Sequence, residues 1–459
     1  MLKIKVGTQF KTTTKRGFDR MGINGESVGY LNRKLVFIAG ALPNETVKAK
    51  ITGIYHHYLR ARATRIIKAS PFRVKPKDDF ANQVGGFELE DMRYPAQLRF
   101  KKALVKQALQ KYQPNGYRHY RIHKTMGMRN PFGYRNKLQF PVRKINGVVK
   151  AGLFKPRSHD LVDLKTCSVQ DPRTMMTVRK MIHILSQLNY PIYNEAAHSG
   201  IIKTIVVRAA LHTSDLQVVL ITNTPKLIQK RQIIRQVKIQ LPQVTSLMQN
   251  VNPGRTSLIW GKRTIPLAGK TFVTEKLGGL AFRLSARAFF QLNSRMMPQL
   301  YEVVKHALKL NSNQKLVDAY SGVGTMGLPF ARQVKELRGM DTVTEAVSDA
   351  NQNAKLNHIT NARYYVGKAE DLLPEWLADG WKPDALIVDP PRTGLGEPLK
   401  KAILKSAPQN FVYVSCNPAT LARDLVTLTK RYRVQWLQPI DMMPQTARCE
   451  VVASFSLKN

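Results

Sequence analysis

Residues 315–327, KLVDAYSGVGTMG, decide the fold of the carboxyl-terminal part of the chain. An apolar run enters a turn in which Gly322, Gly324 and Gly327 have the spacing G-x-G-x-x-G. This order is typical of nucleotide-binding α/β domains, because glycine lets the backbone approach a bound nucleotide. Asp341 ends the next apolar run, where a carboxylate can accept ribose hydroxyls. Alone, the glycine pattern is also compatible with a tight structural turn or a dinucleotide-dependent oxidoreductase.

After about residue 270, further β-rich runs alternate with helical patterns. These runs are KELRGMD (335–341), ARYYVG (362–367), DALIVDPP (384–391), NFVYVSCNP (410–418) and CEVVASFSL (449–457). The alternation predicts a mostly parallel, doubly wound, Rossmann-like sheet over residues 271–459. Ligands of such sheets bind beyond the carboxyl ends of the strands, so residues that follow strands are the candidates for chemistry.

Two strand ends carry more specific signals than the glycine turn. Asp389 ends an apolar run and is followed by two prolines, which stiffen the backbone and hold the carboxylate at the strand end. Cys416 ends the next run, between Ser415 and Asn417, with a helical pattern behind it. A cysteine near a helix N-terminus in a basic protein is expected to have a lowered pKa, which favours a nucleophile. The structural alternatives are a helix-capping aspartate and a buried thiol.

Glu450 is the remaining carboxylate that needs an explanation. Strand alternation places Cys449, Val451 and Ala453 on one face and Glu450 on the other. Glutamate is unfavourable in strands, so the pattern predicts that Glu450 is either solvent-facing or functional.

These residues fit one reaction. Carbon 5 of uracil is a poor nucleophile, but a thiolate that adds at carbon 6 makes carbon 5 enolate-like, so that it takes a methyl group from a sulfonium donor. Cys416 is the candidate nucleophile, Glu450 the base that removes the carbon-5 proton, and Asp389 the group that holds the uracil edge. The base must leave its stack to react, and Phe289 and Phe290 are candidates to assist.

Charge and composition indicate a nucleic-acid partner. The 459 residues include 73 Lys and Arg against 30 Asp and Glu, a formal charge of +43. Such an excess of positive charge is best explained by a polyanionic binding partner. The alternatives are a basic surface without a partner and attraction to anionic lipid. No apolar run approaches a membrane span and no secretory signal is visible, so we expect a cytoplasmic protein. The three cysteines lack C-x-x-C spacing, which disfavours disulfides and zinc.

The amino-terminal part of the chain predicts two further domains. Residues 1–68 contain short β-rich runs and predict a small barrel, whose last strand interleaves His, Tyr and Arg and suits either RNA or a charged edge. Residues 69–270 predict a mixed α+β domain, with a helix near 91–112 that packs on the catalytic domain and another near Arg173–Leu188. Two of its segments are predicted to be RNA-facing loops: YRHYRIHK (117–124), and the start of a strand at Tyr134, Arg135, Asn136 and Lys137.

Five blocks carry a resemblance to a known family. They are ARAFFQLN (286–293), DAYSGVGTMG (318–327), DPPR (389–392), YVSCNPATLARDL (413–425) and MPQTARCEVV (443–452). In this order they resemble the catalytic blocks of bacterial RNA uridine-5-methyltransferases, specifically the members that act on 23S ribosomal RNA. Residues 1 to about 68 resemble a TRAM domain, an OB-like RNA-binding barrel. The resemblance covers essentially the whole chain and implies an α/β multidomain protein with a class I methyltransferase domain.

The resemblance implies roles for individual positions. It makes Cys416 the nucleophile, Glu450 the base and Asp389 a further catalytic residue. It implies S-adenosylmethionine as the cofactor, held by Gln291, Tyr320, Gly322, Gly324, Thr325, Asp341 and Asp389. Substrate RNA is expected at Phe289, Tyr134, Arg135, Asn136, Lys137 and Arg392. The implied product is 5-methyluridine at one or two positions of 23S ribosomal RNA, made by a monomer.

The chain departs from this family at two places. Many relatives hold an iron–sulfur cluster with four cysteines, but here NQVGGFELED (82–91) has Val84 and Phe87 at two of these positions, and only Cys167 remains. We therefore expect no cluster and no metal, as in Gram-positive relatives. Arg448 stands where a histidine is frequent. The alternatives are a tRNA uridine-5 or RNA cytosine-5 methyltransferase, or a catalytically silent assembly factor that binds ribosomal RNA.

Overall fold

The computed structural model describes residues 4–458. Its amino-terminal unit is a partly closed five-stranded barrel with the strand order β1-β4-β5-β3-β2. The strands are β1 (Gln9–Thr13), β2 (Ser27–Leu31), β3 (Lys34–Ala39), β4 (Thr46–Ile54) and β5 (Tyr58–Lys68). The Lys15 amide donates to the Val28 carbonyl at 2.7 Å, which joins the end of β1 to β2. The sequence predicted four of these strands; β1 was missed because its polar side chains alternate exposed and half-buried.

A seven-stranded sheet forms the centre of the molecule, in the order β12-β11-β10-β9-β6-β7-β8. Only the β10–β11 pair is parallel. The strands are β6 (Lys137–Ile145), β7 (Val148–Phe154), β8 (Leu161–Asp163), β9 (Ile202–Ala209), β10 (Leu216–Thr222), β11 (Ser246–Val251) and β12 (Arg263–Gly269). The helices of this region are α2 (Pro172–Gln187) and α3 (Lys230–Gln240), whose apolar residues pack in the same core as the sheet. Asp171 caps α2 by accepting the Arg173 amide at 2.9 Å, and Pro172 pre-sets its first turn.

The helix α1 (Tyr94–Tyr112) precedes the central sheet in the chain but packs elsewhere. Its buried Phe100 and Leu104 belong to the same apolar core as Leu421 and Leu425 of the carboxyl-terminal domain. Each such buried side chain stabilises the fold by about 1.5–3 kcal/mol. No helix in residues 4–458 combines the length and apolarity needed to cross a membrane.

The carboxyl-terminal domain contains a second seven-stranded sheet, in the order β17-β16-β15-β18-β19-β21-β20. The elements are the hairpin β13 (Phe272–Leu277) and β14 (Leu280–Ser285), then α4 (Met297–Leu308), β15 (Lys315–Ala319), β16 (Glu336–Asp341), α5 (Thr344–Leu356), β17 (Ala362–Val366), α6 (Ala369–Ala378), β18 (Ala385–Val388), α7 (Glu397–Ser406), β19 (Asn410–Ser415), α8 (Pro418–Leu428), β20 (Tyr432–Ile440) and β21 (Glu450–Leu457). Strands β15 to β19 are parallel, whereas β21 is antiparallel to both of its neighbours. The predicted doubly wound α/β fold is confirmed, and its parallel strands end at one edge.

Candidate active site

A cavity of about 1190 Å³ lies at the carboxyl ends of the parallel strands. It collects ten of the residues that the sequence singled out: Phe289, Gln291, Tyr320, Gly322, Thr325, Asp341, Asp389, Arg392, Cys416 and Glu450. These residues come from segments that are distant in sequence. The topology brings them together because the turns after β15, β16, β18 and β19 open on the same side of the sheet.

The turn after β15 is held open toward this cavity. Tyr320 and Gly322 have φ angles of 64° and 54°, in the left-handed region. A Cβ added at Gly322 would meet no atom within 4 Å, so the backbone is directly accessible there. The Asp341 carboxylate accepts the Gly322 amide at 3.0 Å and the Val343 amide at 2.9 Å. Each Asp341 oxygen accepts one of these amides, which leaves lone pairs that can accept hydroxyl groups.

Asp318, which the sequence analysis missed, lies underneath the glycine turn. Its carboxylate is fully buried and accepts the Gly327 amide at 2.8 Å. Burial, and to a lesser extent the charges of Asp389 and Asp341, raise the pKa of Asp318 to about 8. The sequence feature that could have indicated Asp318 is a charged residue inside the otherwise apolar run KLVDAY. Gly324 also lies below the surface, where an added Cβ would approach Leu328 and Tyr364 within 3.0 Å, so Gly324 supports the turn from inside.

Asp389 and Glu450 form a carboxylate pair in the cavity wall. Burial raises the pKa of Asp389 to about 7. Burial, and then the neighbouring Asp389, raise the pKa of Glu450 well above its ordinary value. Two neighbouring carboxylates removed from solvent resist double ionisation, which is the physical cause of both raised pKa values. Glu450 Oε1 has no hydrogen-bond partner among residues 4–458, which leaves it available to a ligand.

Cys416 stands between β19 and α8. The Asn417 side chain caps α8 by accepting the Ala419 amide at 3.1 Å, and it donates to the Arg392 carbonyl at 3.0 Å. Asn417 thereby links the turn at residues 389–392 to the turn that contains Cys416. The half-buried Cys416 thiol points to the same cavity as both carboxylates.

The expected lowering of the Cys416 pKa is wrong. Burial, and then the charges of Glu450 and Asp389, raise the pKa of Cys416 to about 11, although Arg392 opposes them. The local field of two carboxylates and the loss of solvent outweigh the helix N-terminus and the positive charge of the whole chain.

Comparison with known proteins identifies the family. The chain is 56% identical over 456 residues to a Lactiplantibacillus plantarum protein named uncharacterized RNA methyltransferase, covering 99% of this chain and 94% of that protein. The family described as tRNA (Uracil-5-)-methyltransferase matches residues 262–455, and the TRAM domain matches residues 17–64. The chain belongs to the RNA uracil-5-methyltransferase family.

Two further comparisons agree with this assignment. An Enterococcus faecalis protein, also named uncharacterized RNA methyltransferase, is 47% identical and covers 99% of both chains. The crystal structure of the Pyrococcus abyssi tRNA (uracil-54, C5)-methyltransferase in complex with S-adenosyl-L-homocysteine has a TM-score of 0.75, at 24% identity, over 97% of this chain and 99% of that chain. The solved structure shows a shared fold, and the family matches make the chain an RNA uracil-5-methyltransferase with a TRAM domain.

Two residues that were expected to contact RNA are buried inside this methyltransferase. Tyr134 is 3% exposed, and its hydroxyl donates to the Pro444 carbonyl at 2.9 Å. Asn136 is 6% exposed, and its amide nitrogen donates to the Gln291 carbonyl at 2.9 Å. The prediction that both face RNA is wrong. Each side chain is buried and donates a hydrogen bond to a backbone carbonyl in a segment that carries cavity residues.

The neighbouring Arg135 and Lys137 are half-buried beside the cavity segment. Lys137 pairs across the sheet with Arg208, whose guanidinium donates to the Ala288 carbonyl at 2.6 Å. Burial, together with the charges of Arg208 and Arg135, lowers the pKa of Lys137 to about 7. Arg208 thereby supports the residue that precedes Phe289, which is 61% exposed and lines the cavity, while Phe290 is buried.

The segment that carries cysteines in cluster-containing relatives is an apolar core here. Val84, Phe87 and Cys167 are buried in one cluster of side chains. Burial raises the pKa of Cys167 to about 12. Within residues 4–458, no group of three His, Cys, Asp or Glu side chains is arranged to hold a metal ion.

Proposed function

We propose that this methyltransferase converts one or two uridines of 23S ribosomal RNA to 5-methyluridine through a covalent bond between Cys416 and carbon 6 of uracil. The observation that carries the proposal is the common cavity of Cys416, Glu450 and Asp389 beside the glycine turn. A thiol and two carboxylates are the groups that addition, base positioning and proton removal require.

The glycine-turn side of the cavity fits the cofactor. Gly322 leaves its backbone accessible, and Asp341 keeps lone pairs for ribose hydroxyls. Gln291, Tyr320, Gly322, Gly324, Thr325, Asp341 and Asp389 would hold S-adenosylmethionine, with Gly324 acting through the shape of the turn. When bound, the cofactor supplies a sulfonium methyl group to an electron-rich carbon.

Cys416 makes carbon 5 electron-rich. The thiol loses its proton to solvent water and its sulfur bonds to carbon 6, while the electrons of the carbon 5–carbon 6 double bond move toward the carbon-4 oxygen. Asp389 holds the uracil edge during this addition. Because the pKa of Cys416 is about 11 in the RNA-free protein, only a small fraction of the thiol is ionised at neutral pH.

Glu450 completes the reaction after carbon 5 has gained the methyl group. The ionised carboxylate removes the carbon-5 proton, the double bond re-forms, and the carbon 6–sulfur bond breaks to release Cys416 as a thiolate. The burial that raises the pKa of Glu450 also makes the ionised carboxylate a stronger base.

RNA reaches the cavity mouth through exposed aromatic and basic groups. Phe289 offers a ring on which a displaced base can stack, and Arg392 is exposed beside it. Arg135 and Lys137 add positive charge behind this segment. On the TRAM barrel, Tyr55 and Tyr58 stack at 4.6 Å, with surrounding basic residues that suit RNA.

Covalent trapping tests the mechanism. RNA that contains 5-fluorouridine retains fluorine at carbon 5, so proton removal is blocked and the Cys416 adduct accumulates. We expect an adduct in the intact-mass spectrum of the wild-type protein. The control variant Cys449→Ala, which removes another thiol that lines the same cavity, should form the adduct too. Cys416→Ala should form none. An adduct in Cys416→Ala, or full methylation by it, would refute the mechanism.

Mapping 5-methyluridine in a deletion strain tests the substrate. Loss of the modification from 23S ribosomal RNA is the expected result. The second candidate is tRNA, favoured by the description of the family that matches residues 262–455. Loss of 5-methyluridine from tRNA alone would replace ribosomal RNA by tRNA as the substrate.

A further inference from the structure

A second cavity, of about 650 Å³, lies beside the edge strand β20. Its walls come from α4, from β20 and from the segment 121–126. That segment pairs with the strand: the Leu437 amide donates to the Arg121 carbonyl at 2.8 Å, and the Met126 amide donates to the Pro439 carbonyl at 3.0 Å. We call this cavity the edge groove and define it by Arg121, His123, Glu302, His306, Trp436 and Gln438.

Aromatic rings line the edge groove. The half-buried Trp436 lies between two histidines: His306 is nearly parallel to it at 6.1 Å and 27°, and His123 meets it edge-on at 5.8 Å. A tryptophan needed only for packing would be buried on both faces. The accessible rings of Trp436 and His306 instead provide surfaces on which nucleobases stack.

The charge of the edge groove favours a polyanion. Arg121 and His306 are exposed on its walls. Burial lowers the pKa of His123, and Arg121, Lys102 and His306 lower it further, so that positive charge surrounds the ring. Among the described lining residues, Glu302 supplies the one carboxylate. Aromatic rings in a positively charged groove are the combination that binds single-stranded RNA.

The edge groove is close to the catalytic cavity. Gln438 lines the groove and Met442 lines the cavity, so four residues along the chain separate them. An extended chain rises about 3.3 Å per residue, which sets an upper limit of about 13 Å between the Cα atoms of Gln438 and Met442. The linings of the two cavities are therefore within the length of a few nucleotides of each other.

We propose that the edge groove binds single-stranded RNA flanking the target uridine, with a base on Trp436 and backbone phosphates at Arg121 and His306. The proposal rests on the RNA methyltransferase activity of the family. It does not depend on 23S ribosomal RNA as the substrate or on the covalent role of Cys416.

Binding of a fluorescein-labelled 12-nucleotide oligouridylate to the full chain tests the proposal. Arg121→Glu should raise the Kd about tenfold and lower the slope of log Kd against log salt by about one. Arg433→Glu is the matched control, since Arg433 is exposed on β20 outside the groove and the net charge changes equally. The control should change the Kd less than about twofold.

Tryptophan fluorescence provides a second measurement in the same proteins. Unlabelled oligouridylate should quench part of the wild-type emission, and Trp436→Phe, which keeps an aromatic ring for packing, should lose that part. Equal weakening by Arg121→Glu and Arg433→Glu, or unchanged quenching in Trp436→Phe, would overturn the proposal. Neither measurement requires methyl transfer, so failure here is distinguishable from failure of the Cys416 mechanism.

Discussion

Lys101 of α1 and Asp441, in the turn between β20 and β21, form an ion pair in which both side chains are fully buried. Lys101 also donates to the Met443 carbonyl at 2.9 Å. Gln97, one turn earlier on α1, donates to the Gln445 side chain at 2.8 Å. The helix thereby fixes the turn that leads directly to Glu450.

Lys101→Met should lower the stability of the protein, because it leaves Asp441 as an unpaired buried carboxylate. The expected loss is about 3–5 kcal/mol, the usual cost of breaking such a pair. Thermal unfolding, followed by circular dichroism, measures the change. The double variant Lys101→Met with Asp441→Asn removes both charges and should recover part of the loss; no recovery would contradict the ion-pair explanation.

Methylation should accelerate as the pH rises from about 6 to 9. The pKa of Cys416 is raised to about 11 and Cys416 reacts as a thiolate, so its reactive form increases about tenfold per pH unit across this range. Glu450 acts after methyl transfer, so its protonation does not set the rate of this step. The measurement is single-turnover methylation against pH. A rate that falls across this range would contradict the assigned protonation states.

Glu450→Gln should stall the reaction after methyl transfer. The amide keeps the shape of the side chain but cannot accept the carbon-5 proton, so the bond between Cys416 and carbon 6 persists. We expect turnover to fall by about 10²–10⁴-fold, together with a covalent RNA adduct on ordinary uridine RNA. Denaturing gel electrophoresis detects the adduct. Normal turnover without an adduct would remove Glu450 from the mechanism.

RNA affinity should depend on pH through Lys137. Its pKa is lowered to about 7, so Lys137 is mostly uncharged at pH 8.5, whereas a neighbouring phosphate would favour the charged form. Affinity of the wild-type protein should therefore fall as the pH rises from 6.5 to 8.5. Lys137→Arg keeps its charge throughout and should flatten this dependence in fluorescence anisotropy titrations. Identical pH dependence in both proteins would argue against a phosphate at Lys137.

Gly327→Ala should weaken S-adenosylmethionine binding. An added Cβ would lie 2.7 Å from Asp318 Oδ2 and 2.9 Å from Asp318 Cβ, which forces the glycine turn to shift. Overpacking of this kind costs about 1–3 kcal/mol. Isothermal titration calorimetry measures the cofactor Kd. Gly85→Ala is the control, since the nearest atom to its added Cβ is 3.9 Å away and Gly85 does not line the cavity.

The sequence by itself predicted six strands of the carboxyl-terminal domain, β15 to β19 and β21, but not β20 or the β13–β14 hairpin. Apolar runs such as 384–388 and 410–415 are short, rich in β-branched and aromatic residues, and followed within three residues by a proline. These local features depend on neighbours along the chain, so they can be read without coordinates. Because parallel strands end at one edge, the strand-end positions of Asp389 and Cys416 followed from the same pattern.

Only the tertiary structure decided how these groups behave electrostatically and which side chains are buried. The pKa of Cys416 is raised because folding removes solvent and brings in Glu450, 34 positions later in the sequence numbering. Tyr134 and Asn136 become interior residues because Pro444 and Gln291 supply their hydrogen-bond partners. Burial and electrostatic fields are sums over atoms that are close in space and distant in sequence, and no local pattern records them.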